Sequence, residues 1–159
     1  SEESAYVTID LLKGVTEEGS GMRLRHEGAE VSNLVFQNVV TGYPYKFENP
    51  IAGKTGTTQN QSDGWFLGMV PNLVTGVWVG GEDRSIHFKD IAYGQGATMA
   101  LPIWALFMKS VYDNEDLLIS KEDFESPDVL TIPIDCDKYE IIDVNQDIFE
   151  DENLEDLGF

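Results

Sequence analysis

Lys54-Thr55-Gly56-Thr57, followed by Thr58, puts one amine and three hydroxyls into five consecutive residues. Two chemistries compete for such a cluster. Gly53-Lys54-Thr55 would close a phosphate-binding loop only if a glycine stood five residues before Gly53. That position is Glu48, whose charge repels phosphate; Pro50 sits inside the would-be loop, and Gly56 stands where a helix should begin. The phosphate reading fails on these residues. On a β-strand, side chains alternate, so Thr55 and Thr57 share one face and Lys54 takes the other. Gly56 leaves room for the close approach of a second backbone. Such a strand offers an extended peptide three things: main-chain pairing along its edge, two hydroxyls for a terminal carboxylate, and an N–H near Thr57 for an oxyanion.

Three short strands must hold this cluster: residues 51–58, 64–70 and 75–80, each rich in β-branched or aromatic side chains. Their connections are far shorter than the dozen or more residues a parallel crossover needs, so an antiparallel meander is expected. A helix over residues 3–16 precedes them, with Ala5, Ile9, Leu12 and Val15 at helical spacing and Leu11 widening the stripe. A second helix over 98–112 follows, with Pro102 placed in its first turn and Ile103, Phe107 and Val111 on one face. The apolar run 34–40 is a strand or a helical turn. Residues 81–96 read as a polar loop. Residues 129–134 (VLTIPI) are a candidate edge strand, where Pro133 is allowed. The fold class is therefore α+β: an antiparallel sheet of the motif strand and two following strands, packed by an N-terminal and a C-terminal helix.

Charge divides the chain differently. The net charge is −19, with 29 acidic and 10 basic side chains. Residues 1–111 hold 12 acidic and 8 basic residues; residues 112–159 hold 17 and 2. The expected organisation is a body over 1–112 and an acidic extension over 113–159, partly disordered, with disorder strongest over 145–159. Nucleic acid demands the opposite sign and is excluded as a partner. The longest apolar stretch, Met99 to Val111, is broken by Pro102, Lys109 and Ser110, so no membrane span is expected. His26, His87 and Cys136 have no zinc-type spacing, and no cofactor is implied. Trp65, Trp78 and Trp104 read as core residues. Asp63 reads as a turn residue, His87 as an exposed bystander, and Cys136 has no role.

A Lys-Thr-Gly triplet on a strand is the third element of the serine penicillin-binding and β-lactamase family. Around it, Ile51-Ala52-Gly53-Lys54-Thr55-Gly56-Thr57-Thr58 is similar to that family's motif strand throughout. Asp63-Gly64-Trp65-Phe66-Leu67-Gly68 and Thr75-Gly76-Val77-Trp78-Val79-Gly80 resemble the two strands that follow. Ala5-Tyr6 with Leu11-Leu12-Lys13-Gly14-Val15 resembles the preceding helix, Gly19-Ser20-Gly21 stands where the family has Gly-Thr-Gly, and residues 100–108 resemble the closing helix. The resemblance is to the C-terminal part of the transpeptidase domain of class A penicillin-binding proteins and covers residues 3–112. Ser-x-x-Lys and Ser-x-Asn, the family's first two motifs, do not occur in this chain.

The resemblance implies a peptidoglycan D,D-transpeptidase that cross-links stem peptides through a serine acyl-enzyme and is acylated by β-lactams. The parent would also be a glycosyltransferase, extracytoplasmic and anchored by a segment absent here. It assigns Thr55, Gly56, Thr57 and Thr58 to substrate binding, Lys54 to electrostatic assistance and the Thr57 N–H to the oxyanion hole. The nucleophile is missing, so the chain alone is expected to be inactive. Ser1 does not resemble a native start, and the chain is expected to be a piece of a longer protein. Its open edge or exposed apolar surface is expected to pair with another copy. A non-catalytic module binding peptide carboxylates, or a purely structural acidic domain, remains the alternative.

Overall fold

The computed structural model describes residues 1–25, 38, 40–132 and 134. His26, Cys136, Pro133, the disorder expected over 145–159 and most of the run 34–40 lie outside the described residues.

The elements run α1 (Glu2–Glu17), β1 (Ala52–Thr57), β2 (Asp63–Val70), β3 (Leu73–Gly80), α2 (Ile91–Gly94) and α3 (Gly96–Tyr112). The strands form one antiparallel sheet in the order β1-β2-β3, as the short connections require. This is the expected α+β arrangement. Helix α1 starts at Ser1, whose hydroxyl accepts from the Ser4 N–H at 3.1 Å, and Glu2 and Glu3 complement its positive end. Its buried side differs from the expected stripe: Thr16 is fully buried, while Leu11 is 72% exposed.

One face of the sheet carries the core. Phe66 and Val70 meet Leu101, Trp104, Ala105 and Met108 of α3, joined by Leu24, Tyr45, Phe47 and Ile51. Trp104 is the centre. Its ring lies edge-on to Phe66 at 5.2 Å, its Nε1 donates to Thr75 Oγ1 at 2.6 Å, and it occupies the space a side chain at position 68 would take. Gly68 is therefore a packing requirement of Trp104. Helix α1 reaches the same face through Thr16, whose methyl would touch a Cβ at Gly53. Trp65 and Trp78 depart from their expected core placement. Alternation puts them on the opposite face, 6.3 Å apart and 43% and 48% exposed.

Helix α3 begins at Gly96, two residues before the expected start. Pro102 is thus inside the helix rather than in its first turn. It removes one backbone bond, a tolerable loss in a helix held by its buried face. The run Ile91–Tyr112 is long and apolar enough to cross a membrane by length and composition, against the sequence expectation; half of its apolar window is packed inside the domain. The loop expected over 81–96 ends early, because Asp90 caps α2 by accepting from the Ala92 N–H at 2.7 Å.

The extension is not a detached tail over its described part. Asn72, in the β2–β3 turn, donates to Leu118 O and accepts from the Ser120 N–H, both at 2.9 Å. Lys13 Nζ holds both oxygens of Asp123 at 3.0 Å. The Glu3 carboxylate accepts from Thr131 and from the Ile132 N–H. No strand forms over the described residues of 129–134. The N–H groups of Thr131 and Ile132 go to the Glu3 side chain of α1 instead of to a sheet.

Candidate functional site

Among the described residues β1 lies at the edge of the sheet, with no strand beyond it, so one side of its backbone is open. Its register fixes which side. The Thr58 N–H donates to Asp63 O at 3.0 Å. In an antiparallel pair, residues facing the partner alternate with residues facing away. Lys54 and Gly56 therefore turn their backbone groups to β2, and Thr55 and Thr57 turn theirs to the open edge. Lys54 Nζ donates to Thr55 O on that edge, at 2.8 Å.

Side chains alternate at right angles to this pattern. Thr55 pairs with Phe66 and Thr57 with Gly64, on the helix-covered face; Lys54 pairs with Leu67 and Gly56 with Trp65, on the other. The two threonines share a face, with the lysine opposite. Thr58 goes elsewhere. Its hydroxyl accepts from the Asp63 N–H at 2.9 Å and lies 3.1 Å from Asp63 Oδ2 and 3.0 Å from Ser62 Oγ. It closes the β1–β2 turn. Asp63 does more than turn the chain, since its Oδ1 also accepts from Trp78 Nε1 at 3.1 Å.

Two contacts hold the threonines from behind. Ser20 Oγ is 2.6 Å from Thr55 Oγ1, and the Gly96 N–H donates to Thr57 Oγ1 at 2.9 Å. Gly96 can approach so closely because it lacks a side chain; a Cβ there would run into the carbonyl oxygens of Gly56 and Trp65. This approach is owed to Gly96 and not to the missing side chain of Gly56, where a Cβ would face Trp65 on the other side of the sheet. Neither contact was evident from the sequence. The signals present were the Gly19-Ser20-Gly21 triplet and the Gly94-Gln95-Gly96 spacing.

The entry to β1 is anchored by Arg25. Its Nη1 donates to Phe47 O at 3.1 Å and Asn49 O at 2.5 Å, and its Nη2 to Thr16 Oγ1 at 3.2 Å. Thr16 Oγ1 in turn donates to Ile51 O at 2.6 Å. Burial lowers the Arg25 pKa from its usual value, with Glu17 and Tyr112 acting in the opposite sense.

A cavity of about 260 Å³ lies beyond the β1–β2 turn, between Ser62, Val79, Ile86, Phe88 and Met99; it does not include the motif strand. His87 is exposed beside it, its Nδ1 2.9 Å from Phe88 O. Among the described residues no three His, Cys, Asp or Glu side chains gather as a metal set.

No family model matches the chain. Individual relatives do. It is 36% identical over 119 residues to a penicillin-binding protein 1A of Aquifex aeolicus, covering 73% of this chain. It is 30% identical over 138 residues to a penicillin-binding protein 1A of Clostridium tetani, covering 87% of this chain. It is 38% identical over 74 residues to penicillin-binding protein 1A of Escherichia coli, covering 40%. The chain spans only 13%, 15% and 9% of the length of these three curated relatives.

Proposed function

Starting from a chain that belongs to the class A penicillin-binding protein family, we propose that residues 1–112 are the C-terminal part of its D,D-transpeptidase domain, and that 113–159 extend it. In the parent, a serine supplied from elsewhere attacks the carbonyl carbon of the penultimate D-alanine of a stem peptide. The C–N bond to the terminal D-alanine breaks, and that residue leaves as the protonated amine. An amine of a neighbouring stem peptide then attacks the ester, forms the cross-link and regenerates the serine. β-Lactams acylate the same serine. The parent is also proposed to be a glycosyltransferase, extracytoplasmic and anchored by a segment outside this chain.

This chain supplies one wall of that site. The observation that carries the reading is the open edge of β1, which presents the backbone groups of Thr55 and Thr57 outward. An extended peptide pairs with that edge. Its terminal carboxylate takes the hydroxyls of Thr55 and Thr57, whose side chains share one face. Gly56 keeps the strand narrow between them. The Thr57 N–H donates to the oxyanion, a role worth about 3–4 kcal/mol where such donors have been removed. Lys54 contributes positive charge to the opposite side. Thr58 shapes the turn rather than touching substrate.

Ser-x-x-Lys does not occur in the sequence, so the chain alone is expected to remain unlabelled by a fluorescent penicillin on a denaturing gel. Binding without catalysis is the property to measure. N-acetyl-D-alanyl-D-alanine titrated into the ¹⁵N-labelled chain is expected to shift the Thr55 and Thr57 amides, and the C-terminal amide of the same peptide is not. Equal shifts with both ligands, or shifts centred elsewhere, refute the reading.

A further inference from the structure

We propose that Ser20 is a positioning residue for the carboxylate site: its hydroxyl donates to Thr55 so that Thr55 can donate outward. The inference rests on the reading of β1 as a carboxylate-binding strand. A hydroxyl has one proton and two lone pairs. At 2.6 Å, Ser20 Oγ and Thr55 Oγ1 share one proton between them, and either can supply it. If Thr55 supplies it, Thr55 turns only lone pairs to the open edge and repels an anion. If Ser20 supplies it, the Thr55 proton is free for the carboxylate. An anion at the edge therefore selects the order Ser20 to Thr55 to carboxylate. Each bond in such a chain polarises the next, and the last one is charge-assisted.

Thr57 shows the same arrangement with its direction already fixed. The Gly96 N–H can only donate, so Thr57 Oγ1 accepts from it at 2.9 Å and keeps its own proton for a ligand. Gly96 opens α3, a helix of 17 residues, so this N–H carries the positive end of the helix dipole to Thr57. The two threonines are thus backed by one donor each, from different elements: the segment after α1 for Thr55, the start of α3 for Thr57. Position 96 cannot test the idea, because any side chain there collides with Gly56 and Trp65. Ser20 is exposed and can be changed without disturbing the core.

The test compares Ser20→Ala, Ser20→Thr and Thr55→Ala in the whole chain, titrated with N-acetyl-D-alanyl-D-alanine. Thr55→Ala checks the strand reading: loss of carboxylate-dependent binding supports it. Ser20→Ala is expected to weaken binding about 3- to 10-fold, the worth of one hydrogen bond, and Ser20→Thr to restore it. Undiminished binding by Ser20→Ala, with binding lost in Thr55→Ala, overturns the role of Ser20 and leaves the strand reading standing. If the unsubstituted chain ignores the carboxylate, the strand reading falls. Three-bond couplings of Thr55 in the ligand-free chain decide the remaining part. Ser20→Ala is expected to release Thr55 into rotamer averaging, and Ser20→Thr to hold it. Couplings unchanged in Ser20→Ala overturn the proposal with no ligand involved.

Discussion

The two faces of the sheet are made by alternate residues of the same three strands, yet only one is finished. The inner face buries Phe66 and Val70 under Trp104 and Met108. The outer face exposes Trp65, Leu67, Val74 and Trp78, between 43% and 67%. The candidate site straddles this division. Thr55 and Thr57 belong to the finished side and are already held by Ser20 and Gly96. Lys54 belongs to the other side, where, among the described residues, its amine bonds only the backbone carbonyl of its own neighbour. Preorganisation is what a fixed hydrogen-bond partner provides. The two threonines are therefore held by distant segments of this chain, and Lys54 is not. A contiguous apolar face of this kind is normally covered by something else, and we propose that a second copy covers it in the isolated chain.

The largest expected effect breaks the finished face. Trp104→Ala removes the central ring and the bond to Thr75 and is expected to cost about 3–5 kcal/mol in chemical denaturation. At a concentration where the chain is monomeric, replacing both Leu67 and Trp78 by serine on the outer face is expected to cost about 1 kcal/mol or less, since both side chains are then half in water. The same double variant should lower self-association in analytical ultracentrifugation. A denaturation midpoint that falls as far for the outer pair as for Trp104 would mean that the outer face is covered within the chain. A smaller effect sharpens the division at the site itself. Thr55→Ala is expected to weaken carboxylate binding about tenfold. Lys54→Met is expected to weaken it only about twofold in this chain, because an exposed charge contributes little. The reverse order, read from the same titration, would place the anion on the lysine side.

The sheet, its antiparallel order and both long helices were legible in the sequence because they depend on neighbours. Apolar periodicity marks α1 and α3 as helices but mislocates the buried face of α3, where Ile103 and Phe107 stay half exposed and Leu101, Trp104 and Met108 are buried; connections of a few residues leave β1, β2 and β3 no alternative pairing. Alternation also placed Thr55 and Thr57 together. What escaped the sequence are contacts between distant segments. Ser20 meets Thr55 across 35 residues and Gly96 meets Thr57 across 39. Nothing in a serine or a glycine marks its partner. The placement of Trp65 and Trp78 failed for a related reason. Their residue type favours burial, but strand alternation with Phe66 fixed inside leaves Trp65 outside, and register carries Trp78 with it. For the extension, acidity and low aromatic content predicted a partly disordered segment, whereas Lys13 and the side-chain acceptors of Asn72 and Glu3 give its first part specific partners.

The contact between Glu3 and the extension gives the mildest of the expected effects, and a pH dependence whose sign follows from its hydrogen bonds. The Glu3 carboxylate is held below its usual pKa by the Ile132 N–H, then by the Thr131 hydroxyl and N–H. A carboxyl group whose folded pKa is depressed favours the folded contact above its ordinary pKa and loses that contribution as pH falls through the lowered value. Asp123 behaves similarly. Burial raises its pKa, but the Lys13 ammonium and the Phe124 N–H outweigh that and leave it lowered. Lys13 stays charged throughout this range. Amide exchange at Thr131 and Ile132 is therefore expected to be slow at neutral pH and to accelerate as pH drops below the ordinary carboxylate range, after correction for intrinsic rates. Amides of β2, buried against α3, should keep their protection over the same interval. Glu3→Gln should remove the step at Thr131 and Ile132 and leave β2 unchanged. A step that persists in Glu3→Gln would assign the release to Asp123 and Lys13, and a loss of β2 protection at the same pH would make the extension part of the body it was set against.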